Sequence, residues 1–523
     1  MADVLLFNQY YTASMAAPET ILAGFPINLL YLATYVREQG VDCKIVELGA
    51  TEISQSYSDG KRLRCGMSDE MIRTIIRDEQ PSVVGIGCMY TRHYPDTLSI
   101  AKLVKETDPR IKVVMGGNHV TSFPSVILRN PSVDFVVVGE GEITFYELCK
   151  HIIEHKQQYD GILGLAFKQP DGKIVENKRR PLIENLDVLN IDYDLVEIGK
   201  YAQITRLSPY LMRYPSMWVT TSRGCPNNCV YCTVKNVYGR TWRGKSARKT
   251  VDEWEILIKK HGIREIAVLD DSASVDKVRW NEICDELIKR KVNVKWTTPN
   301  GIAHWMLDKP ALDKMKKAGC YRVTFGIESG NPETRKYLGK PFPLKQAREM
   351  IEYANRIGMW TICTNIIGFP YEDAAAVDDT VRFAQECGTD FATFYTLVPH
   401  VTSEVYKDFK KEGLLDFDHL FAGEEFSIED YERMGEITND GGTATKYFTV
   451  EELKTLQMQA YRSFILYRAA TYLLDPLKLL RKIRSVEDFL YMSRLVGMGI
   501  MIFFRSFGLK TTKKLLYSKL AEK

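Results

Sequence analysis

Three cysteines lie within eight residues near the middle of the chain. Cys225, Cys229 and Cys232 stand in the stretch RGCPNNCVYCT with the spacing C-x₃-C-x₂-C, and no fourth cysteine lies nearby. A structural zinc site is usually closed by four ligands, and a cubane 4Fe–4S cluster is normally held by four thiolates. Three thiolates leave one metal position without a protein ligand. The pattern therefore predicts an iron–sulfur centre with one open, reactive position.

The composition bounds the class of protein that carries this motif. The chain has 523 residues, of which 45% are hydrophobic and 26% are charged, and its net charge is only +3. These values are typical of a globular protein of two or three domains, and they give no electrostatic case for nucleic-acid binding. The 11 cysteines are too sparse for a disulfide framework. A reducing, cytoplasmic setting is therefore expected.

Short apolar runs alternate with helical patterns over residues 3–142. Alternation of this kind, with nearly continuous β-branched runs, predicts an α/β domain with a doubly wound parallel sheet of the flavodoxin type. The runs predicted as strands are VLLF (4–7), CKIVEL (43–48), SVVGIGC (82–88), IKVVMGG (111–117) and VDFVVVGEGE (133–142).

Polar residues and glycines follow three of these strands. Ligands bind outside the carboxyl ends of the strands in such sheets, and glycine lets the backbone approach a bulky ligand closely. The same glycines also suit tight turns between strand and helix, so both interpretations stay open from these residues alone. The candidate ligand-binding residues at this edge are Tyr90, Thr91, Gly116, Gly117, Gly139 and Glu140.

A second series of strands and helices begins after residue 210. Six strand–helix units predict a partial (β/α)6 barrel, whose active site would lie at the carboxyl ends of its strands. The three cysteines follow the first of these strands directly. The runs predicted as strands are 217–222, 265–271, 294–300, 322–329, 360–370 and 391–399.

Four regions follow from this division: a ligand-binding domain over residues 1–155, a connector over 156–210 that carries a small β element, the barrel over 211–404 and a helical C-terminal domain over 405–523. The N-terminus has no basic region followed by an apolar run, so no secretory signal is predicted. Residues 489–507 are apolar and aromatic but are interrupted by Arg494 and Arg505. They are interpreted as a packed helix, with a membrane-surface helix as the alternative.

The cysteine motif after the first barrel strand, with Tyr231 before the third cysteine, resembles the radical S-adenosylmethionine (SAM) superfamily. The resemblance implies that the three thiolates hold a 4Fe–4S cluster, whose fourth iron binds the amino and carboxylate groups of SAM. Positions that resemble SAM-binding residues lie at the ends of the second, fourth and fifth barrel strands. Together with Tyr231 they are Asp270, Asp271, Glu328, Ser329 and Gly368.

The five-stranded sheet before the barrel resembles the cobalamin-binding domain of the largest radical SAM subfamily, and this resemblance covers roughly residues 3–400. It implies that cobalamin binds at the glycine-rich strand ends. The D-x-H-x-x-G motif, which supplies a histidine ligand to cobalt, is missing, because no histidine precedes His93. Cobalamin is therefore expected to bind with its own base displaced and without a histidine on cobalt.

The resemblance implies a class B methyltransferase-like enzyme that methylates an unactivated carbon (or phosphorus) by means of SAM and methylcobalamin. The substrate would be a small or lipid-like molecule, and electrons would come from a donor of the flavodoxin or ferredoxin type. Three alternatives remain: a cobalamin-dependent radical cyclase or rearrangement enzyme, a tRNA methylthiotransferase, and a non-catalytic cobalamin-binding protein. The methylthiotransferase would need three further cysteines at strand ends of the front domain, and the first strand end has none.

Overall fold

The computed structural model describes residues 2–14, 24–49, 56–58, 62–205, 210–340, 342–417 and 442–505. The chain divides into two compact units. The first is built mainly from Met1–Ile204 together with the short segment Thr233–Gly239. The second is built mainly from Thr205–Cys232, Arg240–Asp416 and the C-terminal helices.

The first unit contains a seven-stranded sheet in the order β10-β9-β8-β7-β6-β1-β3 and a small antiparallel sheet in the order β2-β5-β4. The five strands predicted from the sequence are all present and pair in parallel. The predicted doubly wound sheet is thus confirmed. The strands are β1 (Val4–Asn8), β2 (Tyr11–Ser14), β3 (Cys43–Glu47), β4 (Ser56–Ser58), β5 (Arg62–Cys65), β6 (Val83–Gly87), β7 (Lys112–Gly116), β8 (Phe135–Val137), β9 (Leu165–Lys168) and β10 (Ile174–Glu176).

Helices connect the parallel strands, and their apolar sides build hydrophobic clusters with the sheet. The stretch TSFPSVILRN (121–130) is helix-like in its sequence period, but it contains parts of two short helices that meet at Phe123 and Pro124. Proline has no N–H to donate and is favoured in the first turn of a helix, so a new helix starts there. The helices are α1 (Ile27–Glu38), α2 (Asp69–Glu79), α3 (Tyr94–Thr107), α4 (Asn118–Ser122), α5 (Pro124–Arg129), α6 (Glu142–Ile153), α7 (Ile198–Thr205) and α8 (Lys235–Tyr238).

The β element predicted within the connector extends this same sheet. Strands β9 and β10 form an antiparallel hairpin, and β9 pairs antiparallel with β8, with Phe167 opposite Phe135. Strand β8 is shorter than the predicted run of 133–142, because the chain turns away at Gly139, which has a φ of +88°. The carboxyl edge of the parallel strands therefore begins earlier at β8 than the sequence indicated.

The second unit contains a six-stranded sheet in the order β11-β14-β15-β16-β17-β18, with every neighbouring pair parallel. This is the predicted partial barrel of six strand–helix units. A short antiparallel pair, β12 with β13, follows the first barrel strand. The strands are β11 (Ser216–Val219), β12 (Ser222–Arg223), β13 (Arg243–Gly244), β14 (Glu265–Val268), β15 (Lys295–Ile302), β16 (Cys320–Glu328), β17 (Trp360–Ile367) and β18 (Phe391–Thr396).

Helices flank this sheet, and three of them end close to a glycine: Gly262, Gly319 and Gly358. All three have positive φ angles, which glycine adopts without steric cost. The helices of the barrel are α9 (Ala247–His261), α10 (Lys277–Lys289), α11 (Lys309–Lys317), α12 (Pro332–Leu338), α13 (Leu344–Arg356), α14 (Ala374–Glu386) and α15 (Glu404–Lys411).

Three C-terminal helices complete the second unit: α16 (Val450–Leu474), α17 (Leu477–Leu480) and α18 (Val486–Arg505). Helix α18 packs Tyr491 and Leu495 into a buried cluster with Met212, Tyr321 and Trp360. Among the described residues, no helix combines the length and apolar character needed to cross a membrane.

Candidate functional site

The three cysteines lie on a loop that follows β12, called here the cluster loop (residues 224–232). The loop starts at Gly224, which has a φ of +85°, and contains a backbone hydrogen bond of 3.1 Å from the N–H of Cys232 to the carbonyl of Cys229. None of the three cysteines forms a disulfide; Cys229 is buried, while Cys225 and Cys232 are partly exposed. Burial raises the pKa of the Cys229 thiol, and the positive charge of Lys340 acts in the opposite direction.

The cluster loop is docked on the end of helix α12. The N–H of Val230 donates to the carbonyl of Leu338 at 3.2 Å. Gly339 follows, and a Cβ atom built on it would lie only 2.9 Å from the carbonyl oxygen of Asn228. Gly339 also has a φ of +74°, so two separate constraints favour glycine at this position.

Two neighbouring aspartates support the start of the cluster loop. The buried carboxylate of Asp270 accepts three hydrogen bonds of 2.6 Å, from the N–H and hydroxyl of Thr221 and from the hydroxyl of Ser222. Asp271 accepts a bond of 3.0 Å from the N–H of Gly224. Both carboxylates thus fix the backbone that leads to Cys225.

Glu328 lies at the end of β16, beside residues of the cluster loop. Its carboxylate forms an ion pair with Lys340, with 2.5 Å between Oε1 and Nζ, and both residues are less than 10% exposed. Burial and the negative charge of Glu328 together raise the pKa of Tyr231 well above its usual value. Glu328 has a φ of +65°, a conformation that is rare for a residue with a side chain and that is often kept at functional sites.

Ser329 and Gly368 lie at the ends of β16 and β17. The buried hydroxyl of Ser329 is within 3.0 Å of the hydroxyl of Thr380. The N–H of Gly368 donates to Glu372 at 2.7 Å, and its φ is +90°. Burial raises the pKa of Glu372 to about 7, although hydrogen bonds from Gly368 and Phe369 act against the shift.

The donor set on the cluster loop fits an iron–sulfur cluster. The described residues hold no group of three or more His, Cys, Asp or Glu side chains arranged around a single metal ion. A cubane cluster makes a different demand, because each thiolate binds an iron of its own. Three cysteines outside any disulfide, on one short loop supported by Asp271 and by helix α12, meet that demand.

In the first unit, the predicted ligand-binding residues lie together at the carboxyl edge of the parallel strands. Tyr90 is 55% exposed there, and the hydroxyl of Thr91 is 3.0 Å from Nδ1 of His119. His119 is buried between the rings of Tyr94 and Phe123, and burial lowers its pKa to about 3. Its imidazole is therefore neutral at physiological pH.

The glycines at this edge have different roles. A Cβ atom on Gly117 would lie 2.5 Å from the carbonyl oxygen of Cys88, so this glycine allows two segments of the protein's own backbone to approach. A Cβ atom on Gly116 would meet only Val137, at 3.8 Å, whereas nothing lies within 4 Å of a Cβ atom on Gly139. Glu140 is buried and accepts a bond of 2.8 Å from the N–H of Ile183.

Unpaired buried polar atoms at the same edge fit cobalamin. Within the described part of the chain, three atoms there have no hydrogen-bond partner: Oε1 of Gln9, Oδ1 of Asn118 and Nε2 of His119. A buried polar group without a partner is costly, so such atoms commonly meet a ligand or water. The rim of the corrin ring carries many amide groups, which complement acceptors of this kind.

Sequence reasoning missed several of these residues. Lys340 follows a helix rather than a strand, so strand-end patterns do not single it out. Gln9 and Glu372 stand one or a few residues beyond strands that were otherwise recognised, and their polar type at such places was the available signal.

Comparison with known proteins gives a family for each of the two units. Residues 22–149 match the model of the B12 binding domain, and residues 219–384 match that of the radical SAM superfamily. An uncharacterised methyltransferase of Pyrococcus horikoshii is 32% identical over 85% of this chain and 88% of its own length. The cytidylyl-2-hydroxyethylphosphonate methyltransferase of Streptomyces wedmorensis is 29% identical over 79% of this chain and 82% of its own.

A solved structure shows the same fold over almost the whole chain. The radical SAM methyltransferase TsrM of Kitasatospora setae, with cobalamin and a 4Fe–4S cluster bound, superposes with a TM-score of 0.68. It is 16% identical, and the match covers 97% of this chain and 100% of that one.

A cobalamin-binding domain followed by a radical SAM barrel defines the cobalamin-dependent radical SAM enzymes, and the chain belongs to this family. Within the family it is a methyltransferase, and its cofactors are cobalamin, a 4Fe–4S cluster and SAM.

Proposed function

We propose that the enzyme transfers a methyl group to an unactivated carbon (or phosphorus) atom of a small or lipid-like molecule. The observation that carries this proposal is that three cysteines outside any disulfide share one short loop beside the buried Glu328–Lys340 pair, in a chain that also holds a cobalamin-binding unit. When bound, the cluster and SAM supply a hydrogen-abstracting radical, and cobalamin supplies the methyl donor.

The protein's own residues would bind and orient these groups. Cys225, Cys229 and Cys232 would hold the cluster, while Asp270 and Asp271 keep their loop in place through its backbone. Around SAM, Tyr231, Glu328, Ser329 and Gly368 would provide polar and backbone contacts. The burial of Glu328 and Ser329 favours a site that excludes water.

The first unit would bind cobalamin at the edge formed by Tyr90, Thr91, Gly116, Gly117 and Gly139. Gly139 and Tyr90 offer open surface, while Gly116 and Gly117 shape the strand ends. Glu140 would act indirectly, because its carboxylate holds the backbone at Ile183. The unpaired Oε1 of Gln9 and Nε2 of His119 would complete the contacts to the corrin amides.

The reaction is tested by incubating anaerobically reconstituted enzyme with SAM, a low-potential reductant and hydroxocobalamin. Reductive cleavage of SAM to 5′-deoxyadenosine is expected, because an open iron position permits it. The triple alanine variant of the cysteines should show none. If the loaded wild-type enzyme forms no 5′-deoxyadenosine, the protein only carries cobalamin and the proposal fails.

A second candidate reaction is radical cyclisation or rearrangement without methyl transfer. The anaerobic magnesium-protoporphyrin IX monomethyl ester cyclase of Rubrivivax gelatinosus is 27% identical over 67% of this chain, which keeps this class relevant. Such a reaction would form 5′-deoxyadenosine with substrate but no S-adenosylhomocysteine, so product analysis separates the two.

An external electron donor and the domain boundaries also belong to this proposal. The cluster needs electrons from outside, for which a flavodoxin or ferredoxin is the expected donor in a cytoplasmic setting. The division at residues 155, 210 and 404 assigns residues 156–210 to a connector, and the pairing of β9 with β8 would be its attachment to the first domain.

We also propose that helix α18 lies on an anionic lipid surface. Its outward face is apolar over five turns, although a solvent-facing helix side is normally polar. The sequence continues through residues 505–523 with six basic residues and one acidic residue, which complement anionic headgroups. The large exposed side chains on this face are Val486, Phe489, Leu490, Val496, Ile500 and Phe504.

Flotation with vesicles tests this contact. The variant Phe489→Ser/Val496→Ser/Ile500→Ser removes apolar surface but keeps the packed Tyr491 and Leu495, which a truncation would remove. Wild-type protein should float with phosphatidylcholine–phosphatidylglycerol vesicles, and the variant should float less. Equal flotation of the two proteins excludes the membrane contact. The contact is also excluded if the wild type forms a dimer and the variant does not, because the apolar face is then a subunit interface.

A further inference from the structure

A buried lysine stands beside the cluster loop without any role in holding the cluster. Lys340 is 8% exposed, and its ammonium group contacts Oε1 of Glu328 at 2.5 Å and the carbonyl oxygen of Gly326 at 3.3 Å. A buried charge is tolerated when it is paired and hydrogen-bonded, and Lys340 has both kinds of partner. Burial alone would lower its pKa, but the neighbouring Glu328 and Cys229 raise it, so Lys340 stays charged.

The protein makes space for this pair in two ways. A Cβ atom on Gly326 would lie 2.9 Å from Oε1 of Glu328 and 3.2 Å from Nζ of Lys340, so any larger residue would displace the pair. Glu328 itself is held in a left-handed conformation, with a φ of +65°. Because Glu328 keeps this strained conformation and Gly326 is required beside it, the carboxylate of Glu328 is confined to one place.

The backbone fixes the lysine relative to the cysteines. Lys340 comes directly after Leu338 and Gly339, which contact Val230 and Asn228 on either side of Cys229. Arg335 secures the same segment, because its guanidinium donates to the carbonyl oxygens of Lys340 and Phe342.

We infer that Lys340 is a positioning residue that adjusts the reduction potential of the cluster and holds the carboxylate of Glu328 in place. This inference rests on the proposed assignment of the three cysteines to the cluster. A nearby positive charge favours the reduced cluster, which carries one more negative charge, and a nearby carboxylate disfavours it. The pair therefore sets two opposing charges beside the thiolates within a buried, poorly screened environment.

The test measures the midpoint potential of the cluster without SAM, by redox titration followed with electron paramagnetic resonance. Lys340→Met leaves Glu328 without its counter-charge, so the midpoint potential of the cluster should be more negative in this variant than in the wild type. Glu328→Gln should move it to more positive values. The double variant removes both charges and should lie between the single variants, and Lys340→Arg should stay near the wild type.

The outcomes distinguish a wrong cluster assignment from a wrong role for Lys340. A wild-type protein that binds no iron refutes the cluster assignment itself. A wild-type protein with a normal cluster, whose potential is the same in Lys340→Met, refutes only the role of Lys340. Because loss of one partner can prevent folding, the double variant and Lys340→Arg provide folded comparisons. The inference is also contradicted if the midpoint potential of the double variant lies outside the range of the single variants. A strongly shifted potential in Lys340→Arg contradicts it as well.

Discussion

At the scale of residues, the site combines soft thiol ligands with a buried ion pair, Glu328–Lys340, that comes from a later part of the chain. The thiols of Cys225 and Cys232 are partly exposed, as ligands that must receive a cluster need to be, whereas Glu328 and Lys340 are buried. Charges in a poorly solvated place interact strongly, so the pair can orient other groups without large movement. Glu328 is therefore suited to binding a charged or polar part of SAM in a fixed position.

The cysteines permit a direct prediction. Replacing Cys225, Cys229 and Cys232 together by alanine should abolish iron binding, whereas anaerobically reconstituted wild-type protein should hold about four irons per chain. Iron and sulfide analysis with the charge-transfer absorption spectrum measures this. The control is Cys284→Ala, since Cys284 is buried in helix α10 away from the loop. A cluster that remains in the triple variant contradicts the assignment.

Residue types alone indicated part of this site. The cysteine spacing and the acidic residue at the end of β16 were visible because each stands at a recognisable strand end. Lys340 was not visible, because its place depends on how helix α12 returns the chain to the cluster loop. Gly117 was recognised as a special position, but the backbone it approaches is that of Cys88 and not a ligand.

At the scale of elements, the end of helix α12 supports the cluster loop. Gly339 closes this helix in the left-handed conformation, as Gly262 closes helix α9. The two glycines differ in their surroundings, because a Cβ on Gly262 meets nothing within 4 Å while one on Gly339 meets Asn228. A comparison of alanine variants at these two positions therefore distinguishes the free-energy cost of backbone strain from the cost of displacing the cluster loop.

Gly262→Ala should therefore destabilise the protein by about 1 kcal/mol, because alanine disfavours a positive φ. Gly339→Ala should destabilise it by more, because its Cβ atom would also displace the carbonyl oxygen of Asn228. Only Gly339→Ala should also lower the iron content after reconstitution. Thermal unfolding and iron analysis of both variants measure the two effects. Equal iron content in the two variants would show that the contact with Asn228 is unimportant for the loop.

Strand β14 begins with a buried carboxylate that makes stability depend on pH. Glu265 is fully buried, and burial raises its pKa to about 7 although the N–H groups of Met212 and Arg213 and the hydroxyl of Tyr321 donate to it. The unfolded chain has the ordinary value of 4.5, so the folded protein binds more protons between these two pH values. Its contribution to stability is complete below pH 4.5 and is lost as the pH rises through 7.

The free energy of unfolding should consequently fall between pH 5.5 and pH 8, with at most about 3 kcal/mol from this group. Glu265→Gln should reduce this slope, with Glu372 responsible for part of the remainder, since its pKa is raised in the same direction. The measurement is unfolding by denaturant at both pH values. Glu451→Gln, on the exposed start of helix α16, should leave the slope unchanged; an unchanged slope in Glu265→Gln would contradict the account.

Most regular elements could be predicted, because long apolar runs and glycine stops dominate their local sequence. All eleven parallel strands of the two large sheets were recognised in this way. The small sheet of β2, β5 and β4 was not, since its strands are short and polar and depend on pairing across distant parts of the chain. The attachment of β9 to β8 likewise depends on tertiary pairing, and the sequence indicated only a hairpin.

At the scale of the whole molecule, one chain combines a unit for cobalamin with a unit for the cluster and SAM. Each unit has its own parallel sheet, and each presents its candidate binding residues at the carboxyl edge of that sheet. This common arrangement follows from the geometry of parallel strands joined by helices. The sequence could therefore suggest a candidate site for each cofactor, but the substrate depends on loops and helices that carry no recognisable pattern.

The central claim is that the protein transfers a methyl group by means of SAM and cobalamin. It is tested most directly by anaerobic incubation of the reconstituted enzyme with methyl-labelled SAM and an extract of the source cells. The account predicts that label appears in one product, together with both 5′-deoxyadenosine and S-adenosylhomocysteine. Formation of 5′-deoxyadenosine with turnover of a substrate, but without S-adenosylhomocysteine or transfer of label, would contradict it.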